Sequence, residues 1–128
     1  MHYEVLVRLE PTNTDHFHDL GFIQAQAGRL ADAEMTFKQL LEIAPKKAMG
    51  HRTLAKFYLN TNRQTALAQT LAASAVKLEP VADSYFVLGW ACAKNGRFAD
   101  AELALQEAIR MAPKNPTYRK LYETLKRQ

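Results

Sequence analysis

The residue types that most often carry chemistry are few in this sequence, and their spacing does not favour a shared site. His16 and His18 are two positions apart, so on a helix their side chains point in different directions. The other histidines, His2 and His51, lie far from them along the chain. A metal site needs ligands that converge, usually with cysteine or carboxylate partners. The pattern favours surface or packing histidines and predicts no metal site and no cofactor.

One cysteine and one pair of aspartates remain as candidates for catalysis. Cys92 lies on an apolar stripe, which favours a buried thiol, because a nucleophilic thiolate needs exposure and a basic neighbour. Asp15 and Asp19 are one helical turn apart, but carboxylates on an exposed helix are usually only solvated. The sequence also lacks a phosphate-binding glycine loop, a nucleophile elbow and a His-Glu-x-x-His motif. We therefore expect no enzymatic activity.

The cysteine count, the first residues and the length of the apolar stretches indicate the cellular compartment. Cys92 is the only cysteine, so no intramolecular disulfide forms, which suits a reducing compartment. The first residues contain neither a basic leader nor an uninterrupted apolar run. No apolar stretch approaches the roughly 20 residues that a membrane helix needs. These observations predict a cytoplasmic protein that does not insert into a membrane.

Basic charge is concentrated at the carboxyl end of the chain. The 128 residues include 17 lysines and arginines against 13 acidic residues, a net charge of +4. Residues 114–128 contain five basic residues and one acidic residue, which is the same excess, so residues 1–113 are balanced. Nucleic-acid-binding proteins usually carry a broad basic face. A nucleic-acid contact through the last helix stays an alternative that the neutral body argues against.

An internal repeat organises the sequence. The segment GRLADAE at residues 28–34 recurs at residues 96–102 as GRFADAE, two repeat lengths further along the chain. Leucines at positions 20, 54 and 88 are separated from one another by one repeat length. Prolines at positions 11, 45, 80 and 113 each follow an amphipathic run. The spacing of the prolines indicates one residue gained within residues 60–64 and one lost near Pro80. A period of about 34 residues is typical of stacked supersecondary units.

Each unit is predicted to contain two helices, because its apolar residues follow helical and not alternating spacing. Gly28 and Gly96 supply a left-handed stop after the first helix of their units. Prolines end the second helices, since a residue that precedes proline is displaced from the helical region. We expect helices over residues 15–27, 30–44, 48–61, 65–79, 83–95, 98–112 and 116–128.

A helix–turn–helix unit of this period and with these residues resembles the tetratricopeptide repeat, TPR. In the first unit the family signature falls on Phe17, Leu20, Gly21, Gln24, Ala33, Phe37, Leu40 and Pro45. In the second it falls on His51, Leu54, Ala55, Tyr58, Ala68, Ala72, Ala75 and Pro80, and in the third on Tyr85, Leu88, Gly89, Cys92, Ala101, Leu105, Ala108 and Pro113. The departures are Gln24 and Cys92 in place of a tyrosine, Leu40 in place of an alanine, and His51 in place of an aromatic residue.

The resemblance implies an all-α fold, a right-handed superhelical array of antiparallel helix pairs that forms one domain over residues 1–128. Its expected parts are an orphan second helix of a preceding unit at 1–11, repeats at 14–47, 48–81 and 82–115, and a capping helix at 116–128. One unit cannot bury its own apolar faces, so the units stack. The incomplete unit at 1–11 has three interpretations: it caps the helix that follows, it belongs to a longer array from which the chain was cut, or its open face pairs with a second copy.

The resemblance also implies that the first helix of each unit lines a concave groove for a peptide or protein segment. The groove-facing positions fall on Asp15, His18, Asp19, Phe22, Gln26, Arg52, Thr53, Lys56, Asn60, Asp83, Phe86, Val87, Trp90 and Lys94. Some members clasp acidic C-terminal tails of chaperones with a lysine–asparagine–asparagine–lysine–arginine set. The matching positions here, which carry His18, Phe22, Thr53, Asp83 and Val87, do not fit it.

Trp90 is the most informative of these positions. It lies off the inward stripe of its helix, which Tyr85, Leu88 and Cys92 supply, so a role as a binding anchor is favoured over packing. Phe22, Lys56 and Trp90 occupy the same position in successive units and should form a ladder, with Phe86 one turn before Trp90.

Charges at the groove positions suggest what the ligand carries. Arg52 and Lys56 would form a basic step, and Asp15 and Asp19 an acidic end. We therefore predict a ligand segment with an apolar anchor and with acidic groups near the middle unit.

The predicted function is a protein–protein interaction module, acting as an adaptor, a scaffold or the interaction domain of a larger protein. A scaffold that self-associates as a homodimer through residues 1–11 is an alternative. Three-unit members of the family also serve as chaperones of secreted bacterial proteins, and the chain length permits that activity.

Overall fold

Seven α-helices and no β-strand make up residues 14–127, the part of the chain that the computed structural model describes. In chain order they are α1 (Thr14–Gln26), α2 (Leu30–Ile43), α3 (Ala48–Asn60), α4 (Thr65–Leu78), α5 (Ala82–Lys94), α6 (Phe98–Met111) and α7 (Pro116–Lys126). The first six begin and end within one residue of the bounds expected from the sequence. The segment 1–11, with the self-association assigned to it, lies outside the described residues.

Left-handed residues separate the two helices of each unit. Gly28 and Gly96 adopt φ values of 81° and 78°, as the glycine pattern predicts. The middle unit has no glycine at this turn, and there Asn62 (φ 54°) and Gln64 (φ 48°) take the left-handed conformation. This is the turn for which the proline spacing predicts an additional residue, and two left-handed residues accommodate it.

The prolines act as helix terminators. Ala44, Glu79 and Ala112, each directly before a proline, have φ values of −133°, −148° and −138°, outside the helical region. Asn115 then begins α7, because its side chain accepts hydrogen bonds from the backbone N–H groups of the two residues after Pro116, at 2.9 and 3.3 Å. Proline at the first helical position needs no hydrogen-bond partner for its nitrogen.

Consecutive helices pack against each other along the whole stack, so α1–α2, α3–α4 and α5–α6 form hairpin-like pairs and α7 covers α6. Two first helices also pack directly on the next one, α3 on α5 and α5 on α7. No comparable contact joins α1 to α3. The first helices of the second and third units are therefore in contact, whereas a gap separates those of the first and second units.

Two glycines allow the helices of a pair to approach closely. A Cβ atom on Gly21 would lie 2.3 Å from Cε1 of Phe37, and one on Gly89 would lie 2.8 Å from Cγ of Leu105. Both distances are far below van der Waals contact. The large side chains of α2 and α6 therefore occupy the space that a side chain at these positions would need.

The main core cluster extends across all three units and is centred on α3. Its fully buried members include Leu54, Ala55 and Tyr58 of α3 and Val87 and Ala91 of α5. The assignment of Val87 to the groove was wrong. Helix α5 packs on α3 and α4 with one face and on α6 with another, so its apolar surface is wider than the single stripe read from the sequence.

Signature positions 24 and 58 both make side-chain hydrogen bonds, the first buried and the second partly buried. The hydroxyl of Thr36 donates to Oε1 of Gln24 at 2.6 Å, which explains how an amide is accommodated where the family usually has tyrosine. The hydroxyl of Tyr58, a fully buried residue, donates to Oε2 of Glu34 at 2.7 Å. Because Glu34 belongs to α2 and Tyr58 to α3, this bond joins the first two units.

The Tyr58–Glu34 bond predicts acid sensitivity. The hydrogen bond from Tyr58, together with the charges of Lys38 and Arg63, lowers the pKa of Glu34 below its ordinary value of 4.5. A lowered carboxyl pKa contributes stability that is complete above about pH 4.5 and is lost as the pH falls through the folded-state pKa. We expect Tyr58→Phe to lower the free energy of unfolding at neutral pH by about 1.5–3 kcal/mol.

Urea unfolding at neutral pH and below pH 4.5 measures both effects. In Tyr58→Phe the loss of stability on acidification should be smaller than in the wild type, because without the hydrogen bond the pKa of Glu34 is lowered less. Tyr122→Phe is a matched control, since the Tyr122 hydroxyl accepts from the neutral amide of Gln106, at 3.1 Å. Equal acid sensitivity in the wild type and in Tyr58→Phe would contradict this assignment.

Candidate ligand groove

The gap between the first two units is a groove of about 840 Å³ between α1 and α3, which we call the α1–α3 groove. Its lining consists of His18, Phe22, Ala25, Gln26, Leu30, Phe37, Met49, Arg52, Thr53, Lys56, Phe57, Asn60, Thr61 and Asp83. Most of these residues project from the two first helices, and Asp83 is contributed by the first turn of α5. The volume lies in the range of sites that hold a ligand-sized group.

Phenylalanines form the apolar part of the α1–α3 groove. Phe37 and Phe57 are buried with ring centroids 5.5 Å apart. Phe22 lies on the α1 side of the groove and is 55% exposed. The groove therefore presents one uncovered aromatic ring in a cleft that also contains two buried ones.

Eight of the predicted groove-facing residues line this groove: His18, Phe22, Gln26, Arg52, Thr53, Lys56, Asn60 and Asp83. The structure also places Met49 here, which the sequence reasoning omitted. Met49 lies one repeat length after Asp15 and one before Asp83, so the repeat spacing alone identifies it as a groove-facing position.

The basic side chains of the groove are already paired within the protein. Lys56 Nζ lies 2.7 Å from Oδ2 of Asp83. The guanidinium of Arg52 lies 2.7 Å from Oε1 of Glu79 and 3.5 Å from Oδ2 of Asp83, and it donates to the buried hydroxyl of Ser84 at 2.9 Å. The basic step predicted from the sequence is therefore occupied by carboxylates from the following linker and helix.

Six predicted groove-facing residues lie outside the lining of the α1–α3 groove, and one of them is the buried Val87. Asp15 is exposed in the first turn of α1, and Asp19 lies 3.6 Å from Nδ1 of His18. Lys94 donates to Oδ1 of Asn62 at 2.6 Å. Phe86 and Trp90 form a separate aromatic cluster on α5.

Phe86 and Trp90 lie together, as the sequence predicts, but they pack against the core. Their ring centroids are 5.9 Å apart, and the ring of Phe86 lies 4.9 Å from that of Tyr118 on α7. Both side chains are half-buried against the main cluster, and Phe86 also packs on the cluster around Leu105 and Leu125. The ladder expected from the sequence is thus incomplete: Phe22 and Lys56 share the groove, and Trp90 does not line it.

Among the residues first considered for chemistry, Cys92 takes a packing role. Cys92 is buried, and burial, with the nearby Asp100 carboxylate, raises the pKa of its thiol. Nε2 of His51 lies 2.8 Å from the carbonyl oxygen of Pro45. Within residues 14–127, histidine, cysteine and acidic side chains form no group of three or more that could hold a metal ion. In the same residues, no helix combines the length and apolar character needed to cross a membrane.

Two models of the tetratricopeptide repeat match the sequence, one over residues 17–47 and the other over residues 54–116. Together they account for well over half of the 128 residues. The chain belongs to the tetratricopeptide repeat family. The resemblance drawn from the signature residues is thereby confirmed, and so is the all-α TPR solenoid. The match over residues 54–116 includes most of the middle unit, whose turn lacks the usual glycine.

Solved TPR structures have the same fold. MamA 41-end from Desulfovibrio magneticus RS-1 is 21% identical, with a TM-score of 0.82 over 96% of this chain and 70% of that one. The first TPR of Spaghetti (RPAP3), bound to the HSP90 peptide SRMEEVD, is 15% identical, with a TM-score of 0.81 over 89% and 90%. YrrB, described as a TPR protein with an unusual peptide-binding site, is 13% identical, with a TM-score of 0.82 over 98% and 64%. No curated protein sequence matches this TPR chain.

Proposed function

We propose that this TPR domain is a non-catalytic interaction module that binds a segment of another polypeptide in the α1–α3 groove. The observation that carries the proposal is the exposed ring of Phe22 in an open groove of about 840 Å³. An aromatic side chain that is exposed in a cleft and becomes buried by a ligand is the usual form of a binding hot spot.

The length and lining of the groove support a peptide ligand. Both walls are helices of 13 residues, so together they offer parallel rows of side chains along which an extended or helical segment can lie. Phe22 and Met49 contribute apolar groups to the lining, and Gln26, Thr53 and Asn60 contribute polar groups. Apolar contacts would supply affinity, and the amides and the hydroxyl would fix the register of the peptide backbone.

The family and its solved members support the same role. TPR proteins are generally interaction modules, and two of the similar structures are described in terms of peptide binding. We propose that the domain acts as an adaptor or as the interaction domain of a larger protein. A cytoplasmic location, expected from its single reduced cysteine, belongs to this proposal.

Peptide display on the immobilised domain, followed by titration of a selected peptide, tests the proposal. We expect the double variant Phe22→Ala, Asn60→Ala to weaken binding by about 30-fold or more, because it removes the exposed anchor and a polar contact of the opposite wall. Far-UV circular dichroism should show unchanged helicity, since Phe22 and Asn60 are exposed.

The matched control is Met35→Ala combined with Leu103→Ala. These apolar residues are 64% and 66% exposed on second helices, away from the groove. We expect the control to bind as the wild type does. Loss of binding in the control, with wild-type affinity in the groove variant, would contradict the proposed site.

A further inference from the structure

Asp83 belongs to the third unit, yet its side chain lines the groove between the first two. It lies in the first turn of α5 and is within 2.7 Å of Lys56 Nζ and 3.5 Å of Arg52 Nε. Burial, and then the charge of Asp83 and a hydrogen bond to it, raise the pKa of the Tyr118 hydroxyl on α7. One carboxylate thus interacts with groups from α3 and α7.

Charges at this end of the groove balance without a ligand. Two cations, Arg52 and Lys56, face two carboxylates, Asp83 and Glu79. The Arg52 side chain is only 19% exposed, and its contact with the buried Ser84 hydroxyl holds it in place. Lys56 is the more accessible cation, and its ammonium donates to the Asp83 carboxylate.

A ligand carboxylate that approaches Lys56 would meet Asp83 at nearly the same distance. Such a carboxylate must either displace Asp83 from the ammonium or remain beside it, and both arrangements place like charges close together in a partly desolvated site. A peptide without a carboxylate at that point meets no such repulsion, because the ion pair stays intact beneath it. The carboxylate of Asp83 therefore repels ligands that place a carboxylate beside Lys56.

We propose that Asp83 is a specificity-determining residue, which excludes acidic segments from the α1–α3 groove and restricts its ligands to apolar segments that carry no carboxylate over Lys56. The proposal rests on the proposed function of the groove. It replaces the acidic ligand expected from the sequence, in which Arg52 and Lys56 were treated as unpaired.

Two synthetic peptides and one isosteric substitution test it. The acidic probe is SRMEEVD, the peptide bound in a similar TPR structure, and the neutral probe is SRMQQVN with an amidated C-terminus. Fluorescence anisotropy measures the affinity of both for the wild type and for Asp83→Asn. We expect Asp83→Asn to raise the ratio of acidic to neutral affinity by about tenfold, because the substitution frees Lys56 to make a charge-assisted bond. The gain should shrink as salt is raised.

Asp32→Asn is the matched control. It makes the same change in net charge, but Asp32 is exposed on α2 and paired with Arg29 at 2.7 Å, outside the groove. The affinity ratio of the control should equal that of the wild type. A similar rise in Asp32→Asn would show that only net charge matters and would overturn the proposal.

The remaining outcomes separate the two proposals. If display-selected peptides bind the groove and depend on Phe22, but Asp83→Asn leaves the affinity ratio unchanged, the assignment of Asp83 is wrong and the groove function stands. Selection of carboxylate-rich peptides by the wild type would also overturn the assignment of Asp83 as a residue that excludes acidic segments. If no peptide binds any variant, the groove function fails and the role of Asp83 fails with it.

Discussion

Phe37→Ala is expected to lower the free energy of unfolding by about 3–5 kcal/mol. Phe37 is 4% exposed, its ring lies against that of Phe57, and it occupies the space over the missing Cβ of Gly21. Truncation would remove the contacts of a complete ring and leave a cavity that Gly21 cannot fill. Because the stability of a small domain is only about 5–15 kcal/mol, this loss is a large part of the total.

Urea denaturation followed by circular dichroism measures the change, and the m-value reports whether unfolding stays two-state. Met35→Ala on the same helix is the control, because Met35 is mostly exposed. Its effect should stay within about 0.5 kcal/mol. A loss of less than about 1 kcal/mol in Phe37→Ala would show that the first two units are not joined through this ring.

The double variant Phe86→Ala, Trp90→Ala should lose about 3–5 kcal/mol of stability. Both residues are only half-buried, so each contributes less than a fully buried aromatic residue. Phe86 nevertheless joins the two core clusters and lies on Tyr118, which fixes α7. We therefore expect α7 to lose its amide protection before the rest of the stack does.

Hydrogen exchange of the α7 amides, combined with urea denaturation, tests this expectation. Leu103→Ala, at an exposed position on α6, should leave both quantities unchanged. Stability and α7 protection equal to those of the wild type would contradict the packing role. That result would restore Phe86 and Trp90 as residues available to a ligand.

The helices could be predicted from the sequence because their ends are determined locally. Gly28 and Gly96 stop a helix through their own backbone freedom, and each proline acts on the residue before it. Even the additional residue of the middle turn could be placed, since the proline spacing records it. Each of these signals lies within a few residues of the structure that it determines.

The roles of α5 residues could not be read in the same way. A repeat pattern assigns equivalent positions in each unit the same role, so Val87, Phe86 and Trp90 were assigned to the groove together. The actual neighbours differ, because α5 has both α3 and α7 packed against it, whereas no comparable contact joins α1 and α3. How closely successive units approach depends on tertiary packing that the repeat spacing does not record.

The ion pairs of the groove could not be predicted from the repeat for the same reason. Arg52 and Lys56 were identified as basic positions, but their partners Glu79 and Asp83 lie 27 residues further along the chain. Their pairing depends on the rotation of the third unit relative to the second. The sequence contains one indication of this pairing, which is the negative charge of Asp83 at a groove-facing position.

The central claim is that a peptide binds between α1 and α3. Its most direct test is amide chemical-shift mapping of the domain with a display-selected peptide. The claim predicts that the largest perturbations fall on α1 and α3, around Phe22, Gln26, Lys56 and Asn60, with small changes on α2 and α6. Perturbations confined to the exposed faces of α2, α4 and α6, with α1 and α3 unaffected, would contradict it.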